Sequence, residues 1–341
     1  MLMMRVLIVD PQFEGSPDIE QDVLGPSYEI IVWQTLEKGP VSSSAFEKCD
    51  ALINCRSRHP VTADIVAKMP NCKIVSQAGV GYNHIDLEAC SKNGIPVCNV
   101  PDYGTMEVAD HAVTMALSLS RGIVAYDAKL RSKAMGWNAK EQLTVRRIKG
   151  LTYGIVGLGR IGTATALRAR AFETKIAFYD PYLNPGVDKA FGFQRCTSLE
   201  ELLSISDILS LHTPLTDETE KLINTDNIDL AKQGQVIVNT SRGGVVDLDA
   251  IEKGLKSGRL SGAGLDVLPT EPIDYEHSLL KAFELSEQWV DGKLIITPHA
   301  AFFSPSSVKD MRRIAAENIF NYFENGDLRS CLNLEKLTIF R

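Results

Sequence analysis

The chain has 341 residues, which is enough for two domains of ordinary size with buried cores. Hydrophobic residues make up 44% and charged residues 23%, and the net charge of −7 excludes a general attraction to nucleic acid or to anionic membranes. No apolar stretch has the length that crossing a bilayer requires. We therefore expect no nucleic-acid or membrane partner, and an anionic substrate would need local cations.

The seven cysteines are odd in number and include no C-x-x-C pair. This usage is typical of reduced thiols and argues against a disulfide framework or a zinc site, so we expect no metal. The apolar start of the chain, Met1–Val9, runs directly into a predicted strand and lacks the cleavage site of a signal peptide. Together these features predict a cytoplasmic protein.

Short apolar runs bounded by turn residues alternate with amphipathic segments along the whole chain. This alternation predicts an α/β fold with two Rossmann/flavodoxin-like parallel-sheet domains and a cleft between them. The predicted strands are Val6–Val9, Ile30–Trp33, Ala51–Asn54, Ile74–Ser76, Gly154–Val156, Ile176–Tyr179, Ile208–Leu211, Val236–Asn239, Gly264–Val267 and Leu294–Thr297.

The alternating pattern is interrupted twice. The first series of units ends at residues 96–101, a long helix is predicted from about Thr105 to Met135, and a new strand opens at Leu151. A last amphipathic helix is predicted from Ser304 to Asn325. These breaks predict a discontinuous substrate-binding domain of residues 1–100 plus 301–341. Residues 101–300 form the second domain, and ligands are expected in the cleft.

A glycine-rich segment opens the second domain, between a predicted strand and a predicted helix. Its G-x-G-x-x-G pattern is typical of a dinucleotide-binding loop. Gly157 would make the tight turn, Gly159 would let a pyrophosphate approach the backbone, and Gly162 would let helix and strand pack closely. The helix N-terminus would attract the phosphates. The predicted cofactor-binding residues of this loop are Gly157, Gly159, Arg160, Ile161 and Gly162.

Asp180 ends the next predicted strand, 23 residues after Gly157. A carboxylate at this place accepts hydrogen bonds from the ribose hydroxyls and repels a 2′-phosphate. The sequence therefore predicts NAD as the cofactor and residues 101–300 as an NAD-binding Rossmann domain.

Three further segments, at residues 238–247, 264–272 and 296–301, complete a set of motifs. With them the chain resembles the D-isomer-specific 2-hydroxyacid dehydrogenase family over nearly its whole length. Residues 99–103 and 178–183, with His299-Ala300-Ala301, are most similar to the C-terminal-binding-protein-like branch (CtBP-like) of that family.

The resemblance implies an NAD-dependent 2-oxo acid reductase with Arg242, Glu271 and His299 as its catalytic residues. The chemistry of these residue types agrees. The guanidinium fork of Arg242 can hold a carboxylate. His299 can act as the acid in reduction and the base in oxidation, and Glu271 can orient its ring.

The resemblance also implies contacts outside the glycine loop and the catalytic set. The cofactor contacts are Thr105, His212, Thr213, Pro214, Thr240, Ser241 and Asp266, together with Arg242 and His299. The substrate contacts are Ser57, Arg58, Val80, Gly81 and Phe302, together with Arg242 and His299. Phe302 indicates either an apolar substrate pocket or a core aromatic residue. His84, where the family usually has Asn, is interpreted as structural.

Two other functions stay open. The chain could be an NADH-sensing CtBP-like co-regulator that binds protein partners with little catalysis. It could also be a formate- or phosphite-type dehydrogenase, although formate enzymes of this kind resemble Gln where this chain has Glu271. The resemblance implies a homodimer, with the helix Thr105–Met135 as either its interface or a buried core helix. The sequence does not identify the 2-hydroxy acid.

Overall fold

The computed structural model describes residues 3–55, 59–141 and 145–337, which form two compact units. Unit 1 comprises Met1–Gly104 and Phe303–Arg341, and unit 2 comprises Thr105–Phe302. The predicted substrate contacts Ser57 and Arg58 lie outside the described residues.

Strands and helices alternate through both units. The strands are β1 (Met4–Val9), β2 (Tyr28–Trp33), β3 (Ala51–Asn54), β4 (Ile74–Gln77), β5 (Val97–Cys98), β6 (Thr152–Val156), β7 (Lys175–Tyr179), β8 (Gln194–Arg195), β9 (Ile208–Leu211), β10 (Gln235–Asn239), β11 (Leu260–Leu265) and β12 (Leu294–Ile296). The α-helices are α1 (Asp18–Leu24), α2 (Thr35–Lys38), α3 (Ser43–Lys48), α4 (Ala63–Ala67), α5 (Leu87–Lys92), α6 (Thr105–Arg121), α7 (Ile123–Arg131), α8 (Arg160–Ala171), α9 (Val187–Phe191), α10 (Leu199–Ile205), α11 (Leu248–Ser257), α12 (Ser278–Glu284) and α13 (Pro305–Asn325). Short 3₁₀ helices lie at Ala139–Glu141, Ile228–Leu230, Gly243–Val245 and Leu334–Lys336.

Unit 1 is built on a parallel five-stranded sheet in the order β2-β1-β3-β4-β5, which is the flavodoxin-like order. Its inner strand β1 contains a continuous apolar run from Val6 to Val9, as expected for a strand covered on both faces. Helices α1 and α13 cover one face of the sheet, and α3, α4 and α5 cover the other.

Unit 2 is built on a parallel seven-stranded sheet in the order β12-β11-β10-β9-β6-β7-β8. This is the Rossmann order with one additional strand, β12. Helices α6 and α8 cover one face, and α10, α11 and α12 cover the other. The strand order reverses between β6 and β9, so the loops after these strands lie where α/β sheets bind ligands. The predicted α/β class with two parallel-sheet units is confirmed.

The strand predicted at Gly264–Val267 is wrong in its bounds, since β11 runs from Leu260 to Leu265. Small residues interrupt the apolar pattern of β11. They are present because they let helix α6 approach the strand closely. A Cβ atom on Gly262 would lie 3.1 Å from Leu119, and one on Gly264 would lie 3.2 Å from Met115. The short edge strands β5 and β8 were not predicted.

The single long helix predicted from Thr105 to Met135 is also wrong. Gly122 adopts a left-handed conformation with φ of 63° and separates α6 from α7. On α6, Met115 and Leu119 pack in the core of unit 2. Within the described ranges, no helix combines the length and apolar character needed to span a bilayer.

Candidate functional site

The glycine loop joins β6 to α8 at the reversal of the strand order. Gly157 has a φ of +84°, and a Cβ atom there would lie 3.0 Å from the carbonyl oxygen of His212. A Cβ atom on Gly162 would collide with the carbonyl oxygen of Gly157. On Gly159, by contrast, it would meet no described heavy atom within 4 Å. Two glycines are therefore required by packing, and the third borders open space.

Asp180 anchors this loop from the end of β7. Its Oδ2 accepts a hydrogen bond from the backbone N–H of Leu158 at 2.9 Å, and its Oδ1 accepts one from the N–H of Tyr182 at 3.0 Å. The carboxylate thus holds the glycine loop against the neighbouring strand. Sequence reasoning assigned it only a contact with ribose.

Buried polar atoms without partners lie directly after β9 and β10. Among the described residues, no hydrogen-bond partner is found for Nδ1 of His212 or for the Oγ1 atoms of Thr213 and Thr240. The Nε2 atom of His212 lies 2.9 Å from the hydroxyl of Ser210, and burial lowers the pKa of His212 to about 3. The ring is therefore neutral. Because a buried polar atom without a partner costs free energy, these atoms fit a polar ligand such as a dinucleotide.

His299 and Glu271 form a hydrogen-bonded pair after β12 and β11. Nδ1 of His299 lies 2.8 Å from Oε2 of Glu271, while Oε1 of Glu271 accepts a hydrogen bond from the N–H of Leu268. Burial raises the pKa of Glu271. The hydrogen bond and charge of His299, the Leu268 N–H and the charge of Arg242 outweigh that effect and leave the pKa lowered. Since the carboxylate only accepts, Nδ1 carries the hydrogen and leaves Nε2 for other chemistry.

Arg242 lies in a tight turn after β10. Asn239, fully buried at the end of that strand, donates from Nδ2 to the carbonyl oxygen of Arg242 at 2.9 Å. Its Oδ1 accepts from both the N–H and the hydroxyl of Ser241. A Cβ atom on Gly243 would collide with the backbone of Leu268, so the Arg242 turn packs directly on the segment that carries Glu271.

Asp266 holds the turn that carries His299. Its Oδ1 accepts from the hydroxyl of Thr297 at 2.6 Å and from the N–H of Ala300 at 2.8 Å, and its Oδ2 accepts from the N–H of Ala301. Within this turn His299 has a φ of 52°, in the left-handed region that is uncommon for non-glycine residues. Such conformations persist where surrounding contacts fix them, often at functional sites.

Phe302 and Trp289 are two aromatic residues of unit 2 with different surroundings. The ring of Phe302 stands edge-on to His299, with centroids 6.2 Å apart. Trp289, in the stretch after α12, packs on the core of unit 2, and Lys256 lies over its ring. This stretch is a packed loop, since a Cβ atom on Gly292 would also collide with Ala125.

The loop that contains the predicted substrate contacts Val80 and Gly81 follows β4 in unit 1. Gly79 has a φ of +153°. The side chain of Asn99 donates to the carbonyl oxygen of Val80 at 2.8 Å, which fixes the loop before Gly81. His84 lies 3.0 Å from the side-chain oxygen of Gln77 and ties the far side of the loop to the sheet.

A family model described as D-isomer specific 2-hydroxyacid dehydrogenase, NAD binding domain, matches residues 113–301. The chain belongs to this family. The family's members are NAD-dependent oxidoreductases that act on the CH–OH group of 2-hydroxy acids, and this chain is such an oxidoreductase with an NAD-binding domain.

Relatives support the membership over most of the chain. It is 36% identical over 306 residues to a glyoxylate reductase from Korarchaeum cryptofilum (strain OPF8), with 88% of each protein covered. It is 33% identical over 338 residues to D-3-phosphoglycerate dehydrogenase from Bacillus subtilis (strain 168), covering 98% of this chain and 60% of that protein.

Solved structures agree with this dehydrogenase fold. The TT0316 protein from Thermus thermophilus has a TM-score of 0.83 and 30% identity, with 96% of this chain and 100% of that chain covered. D-lactate dehydrogenase from Aquifex aeolicus, complexed with NAD and lactic acid, has a TM-score of 0.80 and 30% identity, with 97% of each chain covered.

Three residues that support this dehydrogenase site were missed by sequence reasoning. Asn239 and Thr297 orient the turns of the predicted catalytic residues, and Nε2 of His111 on α6 lies 3.1 Å from the Thr297 hydroxyl. Asn239 could have been found as a polar residue ending an apolar strand. His111 has no such signal, because its role depends on how α6 packs.

Proposed function

We propose that this chain is an NAD-dependent D-2-hydroxyacid dehydrogenase that reduces a small 2-oxo acid, with His299 as its acid and base. The observation that supports it best is the 2.8 Å hydrogen bond between His299 and Glu271. The charge of Arg242 also acts on Glu271, so all three predicted catalytic residues interact electrostatically. A carboxylate that fixes one ring nitrogen prepares the other for proton transfer.

Each residue of the set has a defined task in reduction. The guanidinium of Arg242 holds the substrate carboxylate and polarises the adjacent carbonyl. As negative charge develops on the carbonyl oxygen, Nε2 of His299 donates its proton to that oxygen. Glu271 stabilises the protonated ring before this transfer, and in oxidation His299 takes the proton back.

We propose that the NAD site is formed by the glycine loop, the end of β7 and the segments after β9 and β10. When bound, NADH supplies the hydride that reaches C2 of the substrate. The open space beside Gly159 and the N-terminus of α8, which begins at Arg160 and Ile161, would take the phosphates. The other proposed contacts are Thr105, Asp180, His212, Thr213, Pro214, Thr240, Ser241 and Asp266.

Each unit has residues that would contact the substrate. In unit 1, the backbone N–H groups of Val80 and Gly81 would bind a carboxylate, because Asn99 fixes their loop. In unit 2, Phe302 would border the reacting group through its edge-on contact with His299 and favour an apolar substrate side chain.

The test is NADH oxidation by the purified protein across a panel of 2-oxo acids. The panel runs from glyoxylate, pyruvate and hydroxypyruvate to branched-chain, methylthio and phenyl analogues. Turnover of one member supports the proposal. Tight NADH binding without turnover of any member would instead support the alternative, an NADH-sensing co-regulator of the CtBP-like branch. The resemblance to that branch depends on residues 99–103, 178–183 and 299–301.

We also propose a homodimer and a cytoplasmic location. Helix α7 exposes Ile123 and Val124, and Trp137 beyond it is 95% exposed, which gives an apolar surface that a second copy could cover. If the Trp137→Glu variant sediments as a monomer and the wild type as a dimer, the result supports this surface as the dimer interface.

The cytoplasmic location is supported by the cysteines. All seven are free thiols, as a reducing compartment maintains.

A further inference from the structure

Two cysteines that are distant in sequence lie opposite each other in unit 1. Cys98 ends strand β5, and Cys331 pairs with it in an isolated antiparallel bridge. The N–H of Asn99 donates to the carbonyl oxygen of Ser330, and the N–H of Leu332 donates to that of Val97. Because these bonds flank the pair, Cys98 and Cys331 occupy a non-hydrogen-bonded position of the ladder.

This position brings side chains closest together. Residues facing each other in a non-hydrogen-bonded pair have Cα atoms about 4.5 Å apart, within the range of about 4.4–6.8 Å that disulfides span. We propose that Cys98 and Cys331 are a redox-modification site, at which the two thiols form a reversible disulfide between β5 and the C-terminal segment.

The two thiols differ in the way such chemistry requires. Cys331 is partly exposed, so an oxidant can reach it, whereas Cys98 is fully buried. The hydrogen bond from Cys98 and the N–H groups of Asn333 and Val97 outweigh the effect of burial and lower the pKa of Cys331 to about 6. The hydrogen bond with Cys331, and then burial, raise the pKa of Cys98. Cys331 is therefore the more acidic thiol of the pair, and the thiolate is the reactive form of a cysteine.

A peroxide is the oxidant class that balances the reaction. The Cys331 thiolate attacks hydrogen peroxide, the O–O bond breaks, and a sulfenic acid and hydroxide form. The Cys98 sulfur then displaces the sulfenic oxygen, which leaves as water with the Cys98 proton, and the S–S bond forms. One peroxide and two thiols give one disulfide and two waters. A dithiol reductant reverses the modification.

The cross-link would restrain a segment that supports the loop after β4. Asn99, next to Cys98, donates to the carbonyl oxygen of Val80, and the N–H of Val100 donates to that of Gly79. Oxidation therefore fixes the strand on which the carboxylate loop proposed above depends. The disulfide itself does not depend on the proposed reaction.

The experiment treats the reduced full-length protein with hydrogen peroxide and then measures its intact mass, free thiols and Tm. The wild type should lose two hydrogen atoms and two of its seven thiols, and peptide mapping should link Cys98 to Cys331. Its Tm should rise by roughly 5 °C and return after reduction.

Variants make the assignment specific. Cys98→Ala should stop at an oxidised Cys331 that glutathione can trap, while Cys331→Ala should show neither the cross-link nor the adduct. Cys49→Ala is the matched control, because Cys49 and Cys72 also interact as thiols but are both buried. It should cross-link like the wild type. Seven unchanged thiols in the treated wild type, or a cross-link between other cysteines, would overturn the proposal.

Discussion

At the scale of single residues, the geometry around His299 defines its chemistry. The Glu271 carboxylate engages Nδ1, and Asp266 holds the backbone of the same turn through Thr297 and Ala300. The ring is therefore oriented from two directions. The hydrogen bond and charge of His299 contribute to the lowered pKa of Glu271.

Replacing Glu271 with Gln should shift the pH dependence of 2-oxo acid reduction. Without the carboxylate, the ring of His299 loses the negative charge beside Nδ1, so the alkaline limb of kcat should move to lower pH. The measurement is a pH profile of NADH oxidation under saturating conditions. Glu276→Gln, which removes an exposed acid on the same connection, is the control and should leave the profile unchanged.

Glu271 also contributes to stability in a pH-dependent way. Its folded pKa lies below its ordinary value of 4.5, so its contribution is present above that pH and is lost as the pH falls through the folded pKa. Urea unfolding across the acid range should therefore show a flatter decline for Glu271→Gln than for the wild type. An identical acid-side slope for the two proteins would contradict this interpretation.

At the scale of elements, the glycines of the glycine loop have different roles, one in binding the cofactor and another in packing. Gly159→Ala should leave the Tm nearly unchanged, because the new methyl meets no described atom, but it should weaken NADH binding at least about 10-fold by blocking the phosphates. Gly162→Ala should destabilise the fold, because its methyl collides with Gly157. Thermal unfolding and fluorescence titration with NADH measure the two effects. Equal Tm losses would refute the distinction.

A buried ion pair joins helix α13 to helix α1. Arg312 contacts Glu20 with two hydrogen bonds at 2.9 and 2.7 Å, and the Glu20 side chain is only 3% exposed. Arg312→Met should lower the free energy of unfolding by about 3 kcal/mol, because it leaves a buried carboxylate unpaired. Arg313→Met on the same helix removes exposed ion pairs and should cost less than about 1 kcal/mol. Urea denaturation measures the free energy of unfolding of both variants. Similar losses in the two would contradict the larger contribution of the buried ion pair.

The element scale also shows what the sequence can predict. The buried strands β3 and β9 have the predicted bounds because their apolar runs are uninterrupted. The strand β11 was misplaced because its glycines serve contacts with α6, which no local pattern reports. The helix break at Gly122 was missed because the apolar pattern continues across it.

At the scale of the whole molecule, the strand orders of the two sheets determine which strand ends lie together, but they do not determine the contacts around each side chain. The order of the seven-stranded sheet follows from repeated βαβ units, and it puts the ends of β10, β11 and β12 side by side. Motifs in the sequence predicted Arg242, Glu271 and His299, which follow these strands, as the catalytic residues. The supporting residue His111 required the packed structure, because its contact with Thr297 joins segments that are far apart in the chain.

We propose that His299 transfers the proton in the hydride reduction of a 2-oxo acid. The most direct test compares kcat for NADH oxidation by the wild type and by His299→Asn with the preferred 2-oxo acid, after NADH binding has been measured for both. We expect unchanged NADH binding and a loss of kcat by about 10²- to 10⁴-fold in the variant. Near-normal turnover by His299→Asn would contradict this role of His299.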